Sequence, residues 1–438
     1  MSLARRFVGP LLTTVLTSPA TRDVRRRLAE LFSRLRREPH RVHYFHQVDD
    51  PYSHLAAQAL RRFRDAYEIH LEPHLVGPPS DAAAPERRRL VDYSRKDAAD
   101  VAPFYRLEFT DAGTQPAPEL VDLANRLLAA RLRDGSFPEL AVRIGTALWK
   151  EDRAALDDVV RESGSADAER TARSLAEGDR LREARGHYLG ATFWYGGEWY
   201  WGVDRLHYLE RRLAGLGARR GDAPVIQRRE SAAGGVTAPS RDLRLEFFLS
   251  LRSPYSYVAM ERVFALPKRY RLELVLRPVL PMVMRGLPVP RAKRLYILLD
   301  TKREAERTGV PFGTVADPVG RPIERAFSMF PWAREVGRAP EYLHSFAKAA
   351  FADGIDTGSD PGLRKVVERA GLSWGEAKRV LDGEGWREEL EENRSAMFDT
   401  GLWGVPSFRL TGGALPPFAT WGQDRIWVVE EEIRKRLG

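Results

Sequence analysis

Ser253-Pro254-Tyr255-Ser256 follows shortly after the apolar run Phe247-Phe248-Leu249. A short strand that turns at a Ser-Pro pair into a helix puts the serine at the N-cap. The proline then takes the first helical position, where its missing N–H and fixed φ cost nothing. A helix N-terminus presents unpaired N–H groups and the positive end of the backbone dipole, so a group held there is favoured as an anion. In Cys-x-x-Cys enzymes this setting lowers the pKa of the first thiol. Here hydroxyls stand where both sulfurs would be, and the chain contains no cysteine. Dithiol exchange, disulfides, thiolate metal sites and cysteine nucleophiles are therefore excluded. A serine hydroxyl can still donate a hydrogen bond to the sulfur of a thiol supplied from outside. The plainer alternative is that Ser253 only caps its helix.

The other chemistries are thinly supplied. Of nine histidines only His344 lies beyond residue 210, so a Ser-His-Asp site in the second half has a single candidate base. His43 and His46 are three apart in an expected strand and face opposite sides, and His70 and His74 are read as sharing a helix face without a carboxylate partner; no metal is expected. Residues 1–41 hold ten arginines against Asp23, Glu30 and Glu38, which places +7 of the net +9 in this arm. Nucleic acid is not an expected partner, because no recognised motif accompanies the charge.

These residues must be positioned by a chain of 438 residues, which favours two domains. No run approaches a membrane span. Met1–Ala20 has a faint resemblance to a secretory leader, but Pro10 and the Thr13-Thr14 pair interrupt it, and a cytoplasmic location is expected. Between Arg22 and Arg37, Val24, Leu28, Leu31, Phe32 and Leu35 form one helical stripe among arginines. That helix is read as packing on its own protein or as contacting a protein partner or an anionic membrane surface through residues 22–37. Ala218–Asp242 has linker composition.

An internal repeat flanks the linker. Arg41-Val42-His43-Tyr44-Phe45 precedes Asp50-Pro51-Tyr52-Ser53 as Arg244-Leu245-Glu246-Phe247-Phe248 precedes Ser253-Pro254-Tyr255-Ser256. Tyr52 is followed 41 residues on by Tyr93 and 45 on by Asp97, and Tyr255 at the same offsets by Tyr296 and Asp300. Trp201-Gly202-Val203-Asp204-Arg205 and Trp421-Gly422-Gln423-Asp424-Arg425 close the two halves. The pattern reads as one duplicated α/β domain: 1–40 a basic helical arm, 41–217 a first copy, 218–242 the linker and 243–438 a second copy.

The stretch from Phe247 to Tyr257 resembles the opening of the 2-hydroxychromene-2-carboxylate isomerases and kappa-class glutathione transferases, cysteine-free relatives of DsbA. Arg277-Pro278, Lys293-x-x-Tyr296-x-x-x-Asp300, Gly309-Val310-Pro311-Phe312, Gly404-Val405-Pro406-Ser407-Phe408 and Trp421 to Arg425 continue the resemblance in order. It implies two tandem thioredoxin-like (DsbA-like) domains, each a central sheet with an inserted helical subdomain, and a glutathione-dependent isomerase or transferase acting on a small apolar or aromatic electrophile. By the same resemblance Ser253 activates the glutathione thiol and Pro406 is cis. Val405 offers its backbone to the cysteinyl unit, Gln423 and Asp424 face the γ-glutamyl end, and Lys293 balances a carboxylate. Asp424 also reads as an N-cap and Lys293 as a surface lysine. Gly286-Leu287-Pro288-Val289-Pro290 stands where the family often carries an Asn, and Leu280-Pro281-Met282-Val283-Met284 reads as core.

In the first copy Asp50 replaces the serine and Gly190-Ala191-Thr192-Phe193 lacks the proline, both opposed to thiol chemistry. That copy is expected to be degenerate, closing a pocket or a homodimer, with the aromatic stretch Phe193–Trp201 as core and interface. The rival reading of the whole chain is a non-catalytic thioredoxin-fold binding or assembly protein.

Overall fold

A computed structural model describes residues 3–35, 39–221, 224–227 and 242–437. Most of the 218–242 linker stretch lies outside these. The chain divides into two compact units, Asp23–Arg229 and Glu230–Gly438, the latter together with Met1–Arg22.

Two helices come first, α1 (Leu3–Thr17) and α2 (Pro19–Leu35). The first sheet unit then runs β1 (His40–His46), α3 (Pro51–Ala66) and β2 (Ile69–Leu75). It continues through α4 (Arg87–Val101), α5 (Pro118–Ala130), α6 (Phe137–Trp149), α7 (Arg153–Ser163) and α8 (Ala168–Ala184) to β3 (Thr192–Tyr195), β4 (Glu198–Trp201) and α9 (Gly202–Gly215). The second unit opens with β5 (Arg244–Leu249), α10 (Pro254–Tyr270) and β6 (Glu273–Pro278). Its helical middle is α11 (Arg291–Thr308), α12 (Arg321–Glu335), α13 (Ala339–Phe351), α14 (Asp360–Arg369), α15 (Trp374–Val380) and α16 (Trp386–Asp399). It ends with β7 (Ser407–Thr411), β8 (Phe418–Trp421) and α17 (Ile426–Leu437).

Both sheets have four strands in matching order, β2-β1-β3-β4 and β6-β5-β7-β8. The first two strands of each pair in parallel, which requires a crossover, and α3 or α10 supplies it. The last two strands add antiparallel, with Phe247 opposite Phe408 and their rings stacked at 5.4 Å. In the second unit Phe247, Met260, Val263, Leu266 and Phe408 form the core under the sheet, and Phe327, Phe330, Tyr342 and Phe346 continue it into the helices. Glu246 is buried within this sheet, bonded by Arg277 at 2.7 Å and by Arg409. Burial alone raises its carboxyl pKa; the two guanidiniums outweigh that and hold it below the ordinary range.

Three details depart from the sequence reading. His70 and His74 lie on β2, not on a helix. Met282–Arg285 is a 3-10 turn with no buried residue, so the methionine run lines the edge of the core instead of filling it. Third, α1 groups with the second unit: the Val315 N–H donates to the Thr13 hydroxyl at 2.9 Å, and Thr17 Oγ1 to the Gly313 carbonyl at 3.3 Å. A threonine docking surface carries no hydrophobic periodicity, so the sequence pattern of the 1–40 arm did not indicate where α1 seats. Among the described residues no helix is long and apolar enough to cross a membrane.

Candidate functional site

The second unit presents Ser253 at the N-cap of α10. Its backbone is extended, at φ −92° and ψ 111°, and its Oγ accepts the Ser256 N–H at 3.1 Å. The same hydroxyl points at the Val405 carbonyl, 3.5 Å away. The Val405–Pro406 peptide bond is cis, and among the described residues it is the one cis bond. The serine and the loop 150 residues later thus meet at the strand-to-helix turn. Among the described residues nothing in the chain bonds the Val405 N–H, so that donor is available to an extended ligand.

Two features fix the loop. The Pro406 carbonyl accepts the Gly422 N–H at 2.9 Å, which ties the loop to the Trp-Gly-Gln-Asp-Arg segment. Gly404 lies flat against the Trp421 indole, where an added Cβ would come within 2.3 Å of the ring. Trp421 in turn meets Trp403 at 5.2 Å between ring centroids, and Lys293 Nζ lies 5.8 Å from the Trp403 ring. Partial burial pushes the Lys293 ammonium down to about 8, so it is mostly charged at neutral pH and close to losing its proton. The sequence pattern marked Lys293 and the Trp421 segment but not Trp403, whose indole lies between them in the structure.

Of the other expected ligand contacts, Gln423 is placed differently from Asp424. Gln423 is buried, its amide donating to Glu304 at 3.0 Å and accepting from Arg262 at 2.6 Å, so its polar atoms are turned inward. Asp424 keeps a partly exposed carboxylate, and the Gly422 backbone, at φ 120°, packs close against it. The sequence pattern marked both residues without distinguishing a structural amide from an accessible carboxylate, because the partners of Gln423 lie on α10 and α11.

The 45-residue offset shared by the two halves is a hydrogen bond. Tyr255 donates to Asp300 and Tyr52 to Asp97, each at 2.8 Å, which tacks the first turn of α10 or α3 to the opening helix of the helical middle. The loop tie recurs as well, with the Gly202 N–H donating to the Ala191 carbonyl at 2.8 Å. Where the second unit has Ser253, the first has Asp50, accepting the N–H of Tyr52 and Ser53 and the Ser53 hydroxyl at 2.8 Å. Burial pushes the Asp50 carboxyl up to about 7 against those bonds. Where the second unit has cis-Pro406, the first has Ala191 at φ 52°, its N–H bonded to Ser53 Oγ at 2.8 Å. That N–H, at a position where Pro406 has none, is consumed internally, and the residue in register with Val405 is Gly190.

On the outer face of the first sheet, His43, Glu72 and His74 come together, supplying the carboxylate that the sequence reading found missing. His43 Nδ1 and His74 Nε2 are 2.9 Å apart while their ring centroids are 5.2 Å apart, a difference that leaves room only for the two ring radii laid end to end. The two nitrogens therefore aim at each other, as in an N–H···N bond, and not at a shared third point as a tetrahedral ion requires. Desolvation, with help from Arg185, holds His43 near 3 and leaves the pair neutral. Phe193, Tyr195 and Tyr200 of the aromatic stretch are buried in the β3–β4 hairpin, as a core role requires.

The family model of the DSBA-like thioredoxin domain matches residues 244–434. The 2-hydroxychromene-2-carboxylate isomerase of Pseudomonas putida is 26% identical over 203 residues, covering 43% of this chain and 93% of that protein. Among solved structures, a 2-hydroxychromene-2-carboxylate isomerase aligns at 21% identity over 44% of this chain and 95% of its own, with a TM-score of 0.37. The cytosolic disulfide reductase DsbM of Pseudomonas aeruginosa, solved with GSH, aligns at 19% identity over 44% of this chain and 99% of its own, with a TM-score of 0.33. The match to the DSBA-like thioredoxin domain thus spans somewhat under half of the chain, residues 244–434, and the chain contains no cysteine.

Proposed function

We propose that the second unit binds glutathione and uses its thiol to isomerise, or to conjugate, a small apolar or aromatic electrophile. The observation that carries this reading is the Ser253 hydroxyl at a helix N-terminus, 3.5 Å from the carbonyl of the cis Val405–Pro406 loop. A sulfur held there meets the positive end of α10 and the Ser253 hydroxyl, both of which favour the thiolate. Val405 pairs with the cysteinyl backbone, and Asp424 takes the γ-glutamyl amino end. Lys293 balances a carboxylate on the glutathione or on the substrate. Gln423 serves as the support beneath Asp424, through Glu304 and Arg262. The apolar surface of Trp421, backed by buried Trp403, and of the Leu287–Pro290 stretch suits an aromatic electrophile.

The reading extends to ancestry: the shared strand order, Tyr–Asp bonds and loop ties support one duplicated domain, 41–217 and 243–438, in which Asp50 and Ala191 have replaced the thiol-handling pair. The alternative, a non-catalytic binding module of the same fold, is favoured by the Ser256 N–H that Ser253 already accepts, the bond of a plain cap. Calorimetry with glutathione decides between them. Millimolar or tighter binding that weakens about tenfold or more in Ser253→Ala, as loss of a charge-assisted hydrogen bond requires, supports the enzyme reading. Absence of binding to the wild type rejects it.

A further inference from the structure

The helix α2 is turned the wrong way for a helix that belongs only to its own domain. At about 100° per residue, Val24, Leu28, Leu31 and Leu35 fall within about 60° of one another, with Phe32 at the stripe's edge. In an ordinary surface helix that stripe faces the core. Here it faces outward: Val24 is 53% exposed, Leu31 51%, Phe32 56% and Leu35 70%, and no residue of α2 is buried.

The opposite face is the one that is seated. Arg26 donates from Nε and Nη2 to the two oxygens of Glu198, at 2.7 and 2.8 Å, the bidentate geometry that fixes orientation as well as position. Glu30 accepts from the Tyr195 hydroxyl at 2.9 Å and from Arg212 at 3.4 Å. Polar bonds to the β3–β4 hairpin and α9 thus hold the helix with its apolar side presented. A continuous apolar stripe on a fixed helix calls for an occupant.

Charge selects the occupant. Of the five arginines of α2, Arg22 and Arg26 are engaged by Glu306 and Glu198, and Glu30 is engaged by Arg212; Arg25, Arg27 and Arg34 are exposed on the two flanks of the stripe beside exposed Asp23, a net +2. A second copy pairing stripe to stripe would set three exposed arginines against the same three of its partner, with Asp23 the one exposed acidic residue of each helix to receive them, a net like-charge contact. An anionic bilayer meets both requirements: leucine and phenylalanine enter the acyl boundary while the flanking guanidiniums reach the headgroups. We propose that α2 is an in-plane docking helix for an anionic lipid surface, held in a presenting orientation by Arg26–Glu198 and Glu30–Tyr195. This inference is independent of the glutathione reading.

The test is sedimentation of the full chain with vesicles of phosphatidylcholine alone or mixed with phosphatidylglycerol, at low and high salt. Two net charges at about fivefold each give binding about twenty-five-fold stronger to the anionic vesicles at low salt, falling steeply as salt rises. The double variant Leu31→Ser, Phe32→Ser leaves the charge unchanged and weakens binding by about tenfold or more; Arg27→Gln, Arg34→Gln erases most of the lipid preference. All four side chains are exposed, so the variants fold, which circular dichroism verifies. Equal binding to both vesicle types, or undiminished binding of the serine variant, overturns the proposal. So does a wild-type dimer in light scattering that the serine variant dissociates, because the stripe is then a self-interface.

Discussion

Asp50 gives the most quantitative test of how the first unit differs from the second. Its carboxyl caps α3 from a partly buried position, and desolvation pushes its pKa from the ordinary 3.8 up to about 7, even though the N–H groups of Tyr52 and Ser53 and the Ser53 hydroxyl all favour the anion. The folded state therefore holds this proton more tightly than the unfolded chain does. The contribution to stability is greatest below about pH 4, falls as pH rises, and levels off above about 7. The gap between 3.8 and about 7 corresponds to about 4 kcal/mol at 1.36 kcal/mol per pH unit. Part of that loss has already occurred at pH 5, so about 2 to 3 kcal/mol separates pH 5 from pH 8. Asp50→Asn keeps an acceptor for the cap and cannot ionise. Native-state hydrogen exchange of the α3 amides, comparing variant with wild type at each pH, cancels intrinsic exchange and every other titrating group, including the buried His46 and His54. The expected result is a protection ratio that shifts in favour of the variant by roughly a hundredfold between pH 5 and pH 8. A ratio that stays flat refutes the claim that burial dominates at this position.

Other perturbations address the second unit. Lys293 is held near 8, so on the proposed reading the affinity for S-methylglutathione, which has no thiol to titrate, declines as pH rises through about 8; in Lys293→Met calorimetry shows a weaker affinity with a shallower decline over that window, the remainder belonging to the γ-glutamyl amino group. Gly404→Ala places a methyl 2.3 Å from the Trp421 ring and is expected to cost about 1 to 3 kcal/mol in urea unfolding, with a change in tryptophan fluorescence. Tyr255→Phe removes a 2.8 Å bond to the buried Asp300, which keeps Arg303 at 3.3 Å; a loss of about 1 to 2 kcal/mol is expected by thermal unfolding, against near neutrality if that bond is idle.

What the sequence disclosed follows from the range of the interactions involved. A strand that turns at Asp-Pro or Ser-Pro into a helix is a local event governed by cap chemistry and proline φ, and Asp50 and Ser253 occupy those caps in the structure. The offset of 45 residues from Tyr52 to Asp97 and from Tyr255 to Asp300 was legible as recurrence, and the structure supplies its cause in one hydrogen bond per unit. Gln423 was a different case. The motif singled it out, but whether its amide faces a ligand or the interior depends on Glu304 and Arg262, brought there by packing alone. The stripe of α2 was legible as periodicity, yet periodicity does not say which face is seated. That was decided by Glu198, Tyr195 and Arg212, more than 160 residues further along the chain. The local half of each site is therefore written in adjacent residues, and the half that assigns function is written in distant polar partners. Substitutions at Glu304, which lies outside every motif, and at Glu198, which the aromatic stretch carries without marking it, are accordingly expected to disturb the candidate site and the presenting helix as much as changes within the motifs themselves.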